Sequence, residues 1–559
     1  MNPRQFSRSH MLAELRSGEP FDVLVIGGGI TGVGVALDAA ARGLRTALVE
    51  RDDFASGTSS KSSKMVHGGL RYLQNGDVRL VYEALRERRR LMQNAPHLVD
   101  VLPFMIPIMT KDSVVSKKIA RALGSAMWMY DFTGGWRIGK FHKRVNAKQA
   151  AEHFPTTNLD KLSSGYLYYD AGADDARLVV TLARTAAQRG AVLANRCGVV
   201  GVTTDADGQT NGVVVEADGD QFPVGACVVV NAAGVWADDV RALDEGANPD
   251  SIRPAKGVHL TIPWEKVRND IAVIIPVRSD KRSLFLVPWG PQADGSYSHC
   301  YVGTTDTDHD GGLDEHQTTA VDIDYVLTAL NDALETTITL ADVTGVWSGL
   351  RPLVKANAGD EPMGKTADLS RQHQVAVSDS GVVRVSGGKL TTYRKMAEDT
   401  VEIAMQQLGR RRRASRKQST KRLKLVGARG HRSTQPGTQV GHLARRYGSL
   451  AAEVKALIAF EPALGEPIAP GHQYVLAEVV YAARHEMATT LSDVLERRTR
   501  LHIFDREAAL TAAPRVAALM ATELHWDMAE TEHQLDNYRQ LCAAEEAAAR
   551  DQLAAHITD

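Results

Sequence analysis

Three glycines near the start of the chain have the spacing of a phosphate-binding turn. Gly27, Gly29 and Gly32 form a G-x-G-x-x-G pattern directly after the apolar run at residues 22–26. In such a turn the first glycine allows a tight bend, the second lets the backbone approach a pyrophosphate, and the third lets the following helix pack on the strand. The N-terminus of that helix directs N–H groups and a positive dipole at the phosphates. The pattern predicts dinucleotide binding, and alone it does not distinguish FAD from NAD.

A carboxylate stands where the ribose of such a dinucleotide would need it. Glu50 lies about 20 positions beyond the glycines, the spacing at which an acidic side chain holds a ribose hydroxyl. The elements that must position both features are a strand at 22–26, an alanine-rich helix at 33–42 and a second apolar strand at 46–49. This order predicts a β-α-β unit of an α/β fold.

A run of small hydroxyl side chains and lysines, residues 56–64, follows the second strand. Such a run is usually a solvated loop, but at this place it could line the pyrophosphate and the ring system of the cofactor. The residues that we assign to cofactor binding on this basis are Thr58, Ser59, Ser60, Ser63 and Lys64.

Composition describes a globular protein of more than one domain. The chain has 559 residues, of which 43% are hydrophobic and 24% charged, so we expect two or three domains. A formal net charge of -1 gives no global attraction to nucleic acid. Four cysteines without a C-x-x-C pair argue against a disulfide framework or a zinc site and fit a reducing cytoplasm. No signal peptide or membrane-spanning run is evident, so the protein could touch a membrane but should not cross one.

Further motifs resemble one flavoprotein family. Residues 59–73 (SSKSSKMVHGGLRYL) resemble the signature of FAD-dependent glycerol-3-phosphate dehydrogenases. Similar matches follow in order at 174–178 (DDARL), 231–236 (NAAGVW), 256–259 (KGVH), 303–306 (GTTD), 348–353 (SGLRPL) and 387–395 (GGKLTTYRK). The resemblance covers residues 21–399, and 425–428 and 486–499 resemble the family's C-terminal domain. Seven ordered motifs make it specific.

The resemblance implies a fold of the D-amino-acid-oxidase type. A discontinuous Rossmann-like FAD domain is expected to interleave with a mainly antiparallel substrate domain, and a helical C-terminal domain should follow. The expected bounds are 1–20 for an N-terminal tail, 21–80, 170–250 and 341–408 for the FAD domain, 81–169 and 251–340 for the substrate domain, 409–424 for a basic linker and 425–559 for the helical domain.

Two later turns are expected beside the cofactor. A strand at 227–230 leads into Ala233 and Gly234, and a strand at 382–385 leads into a turn and a helix from residue 390. The dipole of that helix would favour the negative charge of a reduced flavin. The residues assigned to this second contact are Gly388, Lys389, Leu390 and Thr391.

The activity implied by the resemblance is oxidation of sn-glycerol 3-phosphate to dihydroxyacetone phosphate with hydride transfer to FAD. Arginine and lysine bind phosphate through charge-assisted hydrogen bonds. The family pattern assigns substrate contact to Arg71, Tyr72, Thr305, Arg371, Lys389 and Arg394 and adds Arg351 as a catalytic phosphate anchor.

Two histidines in motifs could take the hydroxyl proton, since imidazole titrates near neutral pH. The resemblance puts His259 on the substrate side and His67 beside the flavin, so His259 is favoured as the base or as a hydrogen-bond partner of the substrate. Asp306 could orient that histidine, bind substrate hydroxyls or simply cap a turn.

A membrane quinone is the expected electron acceptor, with the protein cytoplasmic and peripheral on the inner face of the cell membrane. The expected lipid contact is a helix, and the alternative for this helix is core packing. Its apolar residues are Val115, Ile119, Ala122, Leu123, Ala126, Met127 and Tyr130, with Lys117, Lys118 and Arg121 elsewhere around it. The basic run at 410–417 is either a solvated linker or a contact to anionic lipid, and it lacks the interleaved aromatics of a nucleic-acid site.

Three other functions remain open at this point. An oxidase would pass the electrons to oxygen, a catalytically silent flavin protein would serve as a scaffold, and an amine-oxidising relative would bind a carboxylate. A homodimer also remains open.

Overall fold

The structure, a computed structural model, describes residues 6–69, 77–109, 117–277, 282–314, 316–355, 373–409 and 420–550, with the backbone alone for 117–123 and 136. The predicted site residues Arg71, Tyr72 and Arg371 and the basic run at 410–417 lie outside the described residues.

The described strands form two sheets. In chain order they are β1 (Phe21–Ile26), β2 (Thr46–Val49), β3 (Met65–Val66), β4 (Val99–Met109), β5 (Lys143–Asn146), β6 (Leu162–Ala173), β7 (Val192–Ala194), β8 (Gly198–Thr204), β9 (Thr210–Ala217), β10 (Asp220–Asn231), β11 (Ile252–Pro263), β12 (Ala272–Pro276), β13 (Ser283–Pro291), β14 (Tyr297–Gly303), β15 (Thr307–Asp308), β16 (Gly345–Val354), β17 (Gln374–Val377) and β18 (Val383–Ser386).

The described α-helices, in chain order, are α1 (Arg8–Leu15), α2 (Ile30–Ala41), α3 (Val78–Asn94), α4 (Lys117–Thr133), α5 (Ala147–His153), α6 (Asp175–Gln188), α7 (Ala237–Glu245), α8 (Ala320–Asn331), α9 (Tyr393–Leu408), α10 (Gln439–Tyr447), α11 (Ala451–Phe460), α12 (Leu476–His485), α13 (Leu501–Phe504), α14 (Arg506–Leu524) and α15 (Met528–Arg550).

The first sheet contains the predicted β-α-β unit at its centre. Its strand order is β17-β18-β10-β1-β2-β7, and the pairs from β18 to β7 are parallel. Every residue of β1 is buried, as expected of a central parallel strand covered on both faces. The carboxyl ends of β1, β2 and β10 lie at one edge, where open α/β sheets bind their ligands.

The second sheet is mainly antiparallel, with the order β15-β11-β14-β13-β12-β4-β6-β3. Among its described pairs, β4 with β12 is parallel and the others are antiparallel. The predicted fold class is therefore confirmed. The domain bounds remain a proposal. The expected third segment of the FAD domain begins at residue 341 and so includes β16, but β16 pairs with β11 of the second sheet.

Helices α10 to α15 and a π-helical turn at Asp493–Arg498 build the C-terminal region around its own apolar core. Buried ion pairs join this region to the segment after β2 and to the start of α6. Arg498 pairs with Asp53 at 2.7 Å, and Arg500 pairs with Asp175, at the start of α6, at 3.0 Å. The C-terminal region therefore reaches the loops that follow β2 and β6.

Part of the expected lipid-facing side of α4 is buried, whereas Val115 and the side chains of Lys117, Lys118, Ile119, Arg121, Ala122 and Leu123 lie outside the described residues. Met127 and Tyr130 pack into a core cluster, and the Tyr130 hydroxyl donates to buried Asp170. Among the side chains of the helix that the structure describes, the large exposed apolar ones are Trp128, Met129 and Phe132. The prediction was wrong for Met127 and Tyr130 because a polar partner on β6 draws this face of the helix inward. Among the described helices, none is long and apolar enough to cross a membrane.

Candidate active site

The glycine turn joins β1 to α2 in a form that only glycine fits. Gly27 has φ of 110°, and a Cβ atom there would lie 2.7 Å from the carbonyl oxygen of Ala232. At Gly32 a Cβ would lie 2.0 Å from the Gly27 carbonyl oxygen. Gly29 caps α2 without a side chain, and the Ile30 N–H at the start of the helix donates to the Ser59 hydroxyl at 2.9 Å. This is the cradle that a pyrophosphate requires.

Glu50 lies directly against this turn. Its Oε2 accepts from the Gly28 N–H at 2.5 Å and its Oε1 accepts from the Asp52 N–H at 2.8 Å. Burial raises the pKa of Glu50 to about 7 despite these two hydrogen bonds. The carboxylate is thus held at the end of β2, where a ribose hydroxyl could donate to it.

A cavity of about 500 Å³ extends from this turn to the second sheet. Most of the predicted cofactor residues line it, namely Gly27, Gly29, Glu50, Thr58, Ser59, Ser63, Ala233, Gly234, Gly388, Lys389, Leu390 and Thr391, together with His67, His259 and Arg351. Gly32 supports the turn from behind, and Ser60 is buried beside the lining. The cavity thus extends from the glycine cradle to the turn at Gly388, as the two expected cofactor contacts require.

His259 sits on β11 at the wall of this cavity. Its ring stacks on Trp347 at 4.8 Å and 8°, and its Nε2 lies 2.8 Å from the Ser63 hydroxyl. Burial, with the nearby cations Lys64 and Arg351, holds the pKa of His259 well below its usual value. The imidazole is therefore neutral at pH 7 and has a lone pair with which to accept a proton.

Arg351 lies on β16, which pairs with the strand of His259. Its Nη1 donates to Asp306 at 2.8 Å, and its Nη2 donates to the Thr304 hydroxyl at 3.0 Å. These contacts fix the plane of the guanidinium where it borders the cavity. Asp306 therefore orients Arg351 and not the histidine, which corrects the first expected role of Asp306.

Two predicted substrate residues lie away from the cavity. Thr305 is buried and its hydroxyl accepts from the Val258 N–H at 3.0 Å. Arg394 is also buried, where it pairs with Glu87 at 2.6 Å and with Glu398 at 3.1 Å. Neither side chain lines the cavity: Thr305 is held by contacts with β11, and Arg394 by two carboxylates, although its Nη1 has no hydrogen-bond partner among the described residues.

Lys64 also departs from its expected place. Its side chain is fully buried, with Nζ 3.5 Å from Asp175 and 4.3 Å from the centre of the Trp347 ring. Ser63 lines the first cavity whereas Lys64 lines a second one. The left-handed backbone of Lys64, with φ of 54°, accompanies this change of direction. Burial lowers the pKa of Lys64 to about 7.

Sequence motifs gave no sign of several lining residues. Trp236, Val199 and Leu243 form an apolar end near Glu50, and Arg51 lies 4.6 Å over the Trp236 ring. Such a pocket suits a flat adenine ring. These are ordinary residue types from separate segments, so only the presence of Trp236 in a quoted motif could have pointed to them.

One relay connects the C-terminal region with this site. Arg500 donates to the Ser60 carbonyl oxygen and to Asp175. Asp175 accepts from the Ser62 N–H at 3.0 Å and from the Ser62 hydroxyl at 2.7 Å. The next residue, Ser63, touches His259. Arg500, in the C-terminal region, thus stabilises the segment at residues 60–63.

Comparisons with known proteins agree with this geometry. Residues 22–394 match the family model described as FAD dependent oxidoreductase, and residues 418–531 match the C-terminal domain of alpha-glycerophosphate oxidase.

Relatives match over most of their length. Glycerol-3-phosphate dehydrogenase 2 of Mycobacterium tuberculosis is 40% identical over 94% of this chain and 89% of its own. The mitochondrial glycerol-3-phosphate dehydrogenase of Homo sapiens is 36% identical over 95% of this chain and 74% of its own. The structure of the glycerol-3-phosphate dehydrogenase from Bacillus halodurans complexed with FAD is similar with a TM-score of 0.75 and 28% identity, over 98% of this chain and 97% of that one.

Proposed function

The chain belongs to the FAD-dependent glycerol-3-phosphate dehydrogenase family, and from that premise we propose that it oxidises sn-glycerol 3-phosphate to dihydroxyacetone phosphate and delivers the electrons to a membrane quinone. The observation that carries the substrate half of this proposal is the pairing of a neutral histidine with a fixed arginine on the wall of the dinucleotide cavity.

Cofactor binding is assigned to the glycine turn, Glu50, Ser59 and the turn at Gly388. The Ser59 hydroxyl accepts from the Ile30 N–H at 2.9 Å, which holds it against the helix N-terminus where the pyrophosphate would lie. When bound, FAD supplies the acceptor for the hydride that leaves the carbinol carbon. The remaining chemistry belongs to side chains of this protein.

The phosphate anchor is assigned to Arg351. A guanidinium offers paired N–H donors that match phosphate oxygens, and its ion pair with Asp306 fixes the donor plane before the substrate binds. Lys389, which also borders the cavity, can add a second positive charge. The anchor would orient the substrate and would not itself move a proton.

The base is assigned to His259. Its neutral ring can take the hydroxyl proton of the substrate at a ring nitrogen, and the Ser63 hydroxyl can rotate to accept from the N–H of the imidazolium that forms. Stacking on Trp347 fixes the ring plane. His67 borders the same cavity beside Thr391 and is assigned a supporting place near the cofactor.

Delivery of electrons to a quinone requires contact with lipid, and an exposed aromatic patch supports such contact. The patch consists of Trp128, Met129, Phe132 and Phe141, of which Phe132 is 72% exposed and stacks on Trp128 at 5.7 Å. Exposed basic residues follow at Lys140, Lys143 and Arg144. Aromatic rings favour the membrane interface and basic side chains favour anionic lipid, so this patch replaces the face predicted from sequence.

Anaerobic bleaching of the flavin tests this function. Stoichiometric loss of the oxidised flavin spectrum with glycerol 3-phosphate, and none with glycerol at the same concentration, is expected. A protein that retains its yellow spectrum with the phosphate ester would be a silent flavin protein, which contradicts the proposal. Turnover in air with a soluble quinone should give little peroxide, whereas peroxide equal to the product formed would identify an oxidase.

A further inference from the structure

The strand pair that carries His259 continues toward the C-terminal region. On β11 and β16, His259 lies opposite Trp347, and Thr261 lies opposite Gly345. Residues two positions apart on a strand share a face, and so do residues directly opposite each other on neighbouring strands. Thr261 and Gly345 therefore lie on the face of the stacked His259 and Trp347 rings, one step further along it.

Helix α13 packs on this face beside the stacked rings. The Thr261 hydroxyl donates to the Ile503 carbonyl oxygen at 2.8 Å. A Cβ atom at Gly345 would lie 2.2 Å from the same oxygen, so the backbone of α13 occupies the place of a side chain. The ring of Phe504 lies 6.2 Å from the ring of Trp347 in an edge-to-face arrangement. The position of α13 thus limits the position of Trp347 and of the histidine stacked on it.

One face of helix α15 surrounds His502 of α13. His502 is 2% exposed, its Nε2 lies 3.0 Å from a carboxylate oxygen of Glu545, and its Nδ1 lies 2.9 Å from the Tyr538 hydroxyl. The Cys542 sulfur lies 3.9 Å from the same Nδ1. Tyr538, Cys542 and Glu545 are four and three positions apart, which is the spacing of one helix face. The buried imidazole of His502 therefore links α13 to α15.

This imidazole is charged at pH 7. Burial lowers the pKa of His502, but the charge of Glu545, a hydrogen bond to Cys542 and the charge of Glu496 raise it to about 10. Both ring nitrogens of an imidazolium carry hydrogen, so Nε2 donates to Glu545 and Nδ1 donates to Tyr538. A neutral ring carries one hydrogen and would lose one of these two donated hydrogen bonds.

The carboxylate of Glu545 faces further cations. Arg506 lies 3.6 Å from it, and Lys61 of the cavity wall adds another positive charge. Burial raises the pKa of Glu545, but these cations, His502 first among them, hold it below its usual value. The carboxylate is thus ionised at pH 7, and its ion pair with His502 is present.

We propose that Glu545 is a positioning residue for the base: through its ion pair with His502 it fixes α13 against β11 and β16, and so fixes the ring of His259. The inference rests on the proposed function, in which His259 takes the substrate proton. Glu545 does not line the dinucleotide cavity, so it acts through α13 and touches neither substrate nor cofactor. Helix α15 thereby contributes to the rate of the reaction.

E545Q tests this role, because it keeps the shape of the side chain and removes its charge. Without the carboxylate, burial lowers the pKa of His502, so the ring loses its proton as the pH rises. We expect kcat of the FAD-loaded enzyme for glycerol 3-phosphate to equal that of a control variant at pH 6 and to be about 10-fold lower at pH 9, the scale for a displacement below about 1 Å. KM should change little, since Arg351 is fixed by Asp306.

E546Q is the matched control for this change. Glu546 is half exposed and pairs with Arg550 at 2.5 Å, so its variant should keep kcat at both pH values. A kcat ratio between E546Q and E545Q that is the same at pH 6 and pH 9 would overturn the proposal, because a purely structural loss does not follow the ionisation of His502.

T261V removes the hydrogen bond on the other side of α13, and it decides the question if E545Q does not fold. Loss of the hydrogen bond to Ile503 should lower kcat about 2- to 10-fold, and an unchanged kcat would overturn the proposal. In the double variant the two losses should combine to less than their product, because both act through α13. Losses that multiply would show that the two residues act independently, which contradicts the proposal.

Amide hydrogen exchange measures the same coupling without turnover. E545Q should speed exchange in peptides that cover Thr261 and Gly345, and E546Q should not. Unchanged exchange in E545Q would overturn the inference while leaving the proposed reaction intact. A wild-type enzyme whose flavin is not reduced by glycerol 3-phosphate, although E545Q speeds exchange, would instead contradict the proposed function.

Discussion

Removing the charge of Arg500 should impair the active site from a distance. The guanidinium is 1% exposed and contacts the Ser60 carbonyl oxygen and Asp175, which in turn holds Ser62 through two hydrogen bonds. In R500M the shape of the side chain is largely kept while both contacts are lost. Among the described residues, the ion-pair partner that Asp175 then retains is Lys64, at 3.5 Å. We expect the segment carrying Ser62 and Ser63 to shift relative to His259.

The size of the effect follows from burial. Breaking a buried ion pair by removing one partner costs about 3–5 kcal/mol, because the other charge is left uncompensated. The free energy of unfolding should fall by about this amount, measured by urea denaturation of the FAD-loaded enzyme. A displacement of about 1 Å in a positioned site costs up to about 100-fold in rate. We therefore expect kcat for glycerol 3-phosphate to fall by about 10- to 100-fold in the folded fraction, with R500K recovering part of it.

A matched control separates stability from positioning. Arg497 is similarly buried in the same region and pairs with Asp53 at 2.7 Å and Asp493 at 2.6 Å, and the hydrogen bonds described for it go to these two carboxylates and not to residues 60–63. R497M should lose comparable stability while keeping kcat. If R500M and R497M lose kcat equally at matched folded fraction, Arg500 is only structural and the reasoning is refuted.

Three further outcomes are expected. R351A should retain FAD yet lose about 30- to 1,000-fold in kcat/KM for glycerol 3-phosphate, since truncating one partner of a charge pair costs about 2–4 kcal/mol. An equal loss of kcat/KM for glycerol would show that Arg351 does not bind the phosphate. Burial raises the pKa of Glu50 to about 7, and a ribose hydroxyl donates to the ionised carboxylate. The affinity of the apoprotein for FAD, measured by titration, should therefore increase as the pH rises through 7. E50Q should remove this pH dependence. Replacing Trp128 and Phe132 by Ser should reduce sedimentation with anionic vesicles. Replacing Phe460, which is 91% exposed, by Ser should leave sedimentation unchanged. Equal sedimentation of the two variants would show that the patch does not bind lipid.

The parts of the site that could be predicted from sequence are those with local causes. The glycine turn and Glu50 lie within one β-α-β unit, where each residue type has a backbone or cofactor reason at a fixed spacing. The parallel pairing of β1 with β2 follows from the same local pattern. For the glycine turn and Glu50, the structural need for the residue type and the residue itself lie within the same short stretch of chain.

Predictions failed where the deciding partner is distant in sequence. Arg394 was expected at the substrate but pairs with Glu87, which is 307 positions away. Asp306 had orientation of the histidine as one of its expected roles, but it pairs with Arg351, which is 45 positions away. A charged side chain takes whichever opposite charge the fold brings within reach, and a linear motif does not contain that information.

The ionisation of His259 shows how these distant partners bear on the proposed reaction. Its pKa is held low by burial and by the positive charges of Lys64 and Arg351. A phosphate dianion paired with Arg351 would cancel one of those charges and raise the pKa of His259 toward neutrality, which makes the ring a better proton acceptor. Lys64 would still oppose protonation, but its charge is partly balanced by Asp175. The substrate's own phosphate would thus improve the base, so a substrate without phosphate would meet both a weaker anchor and a weaker base.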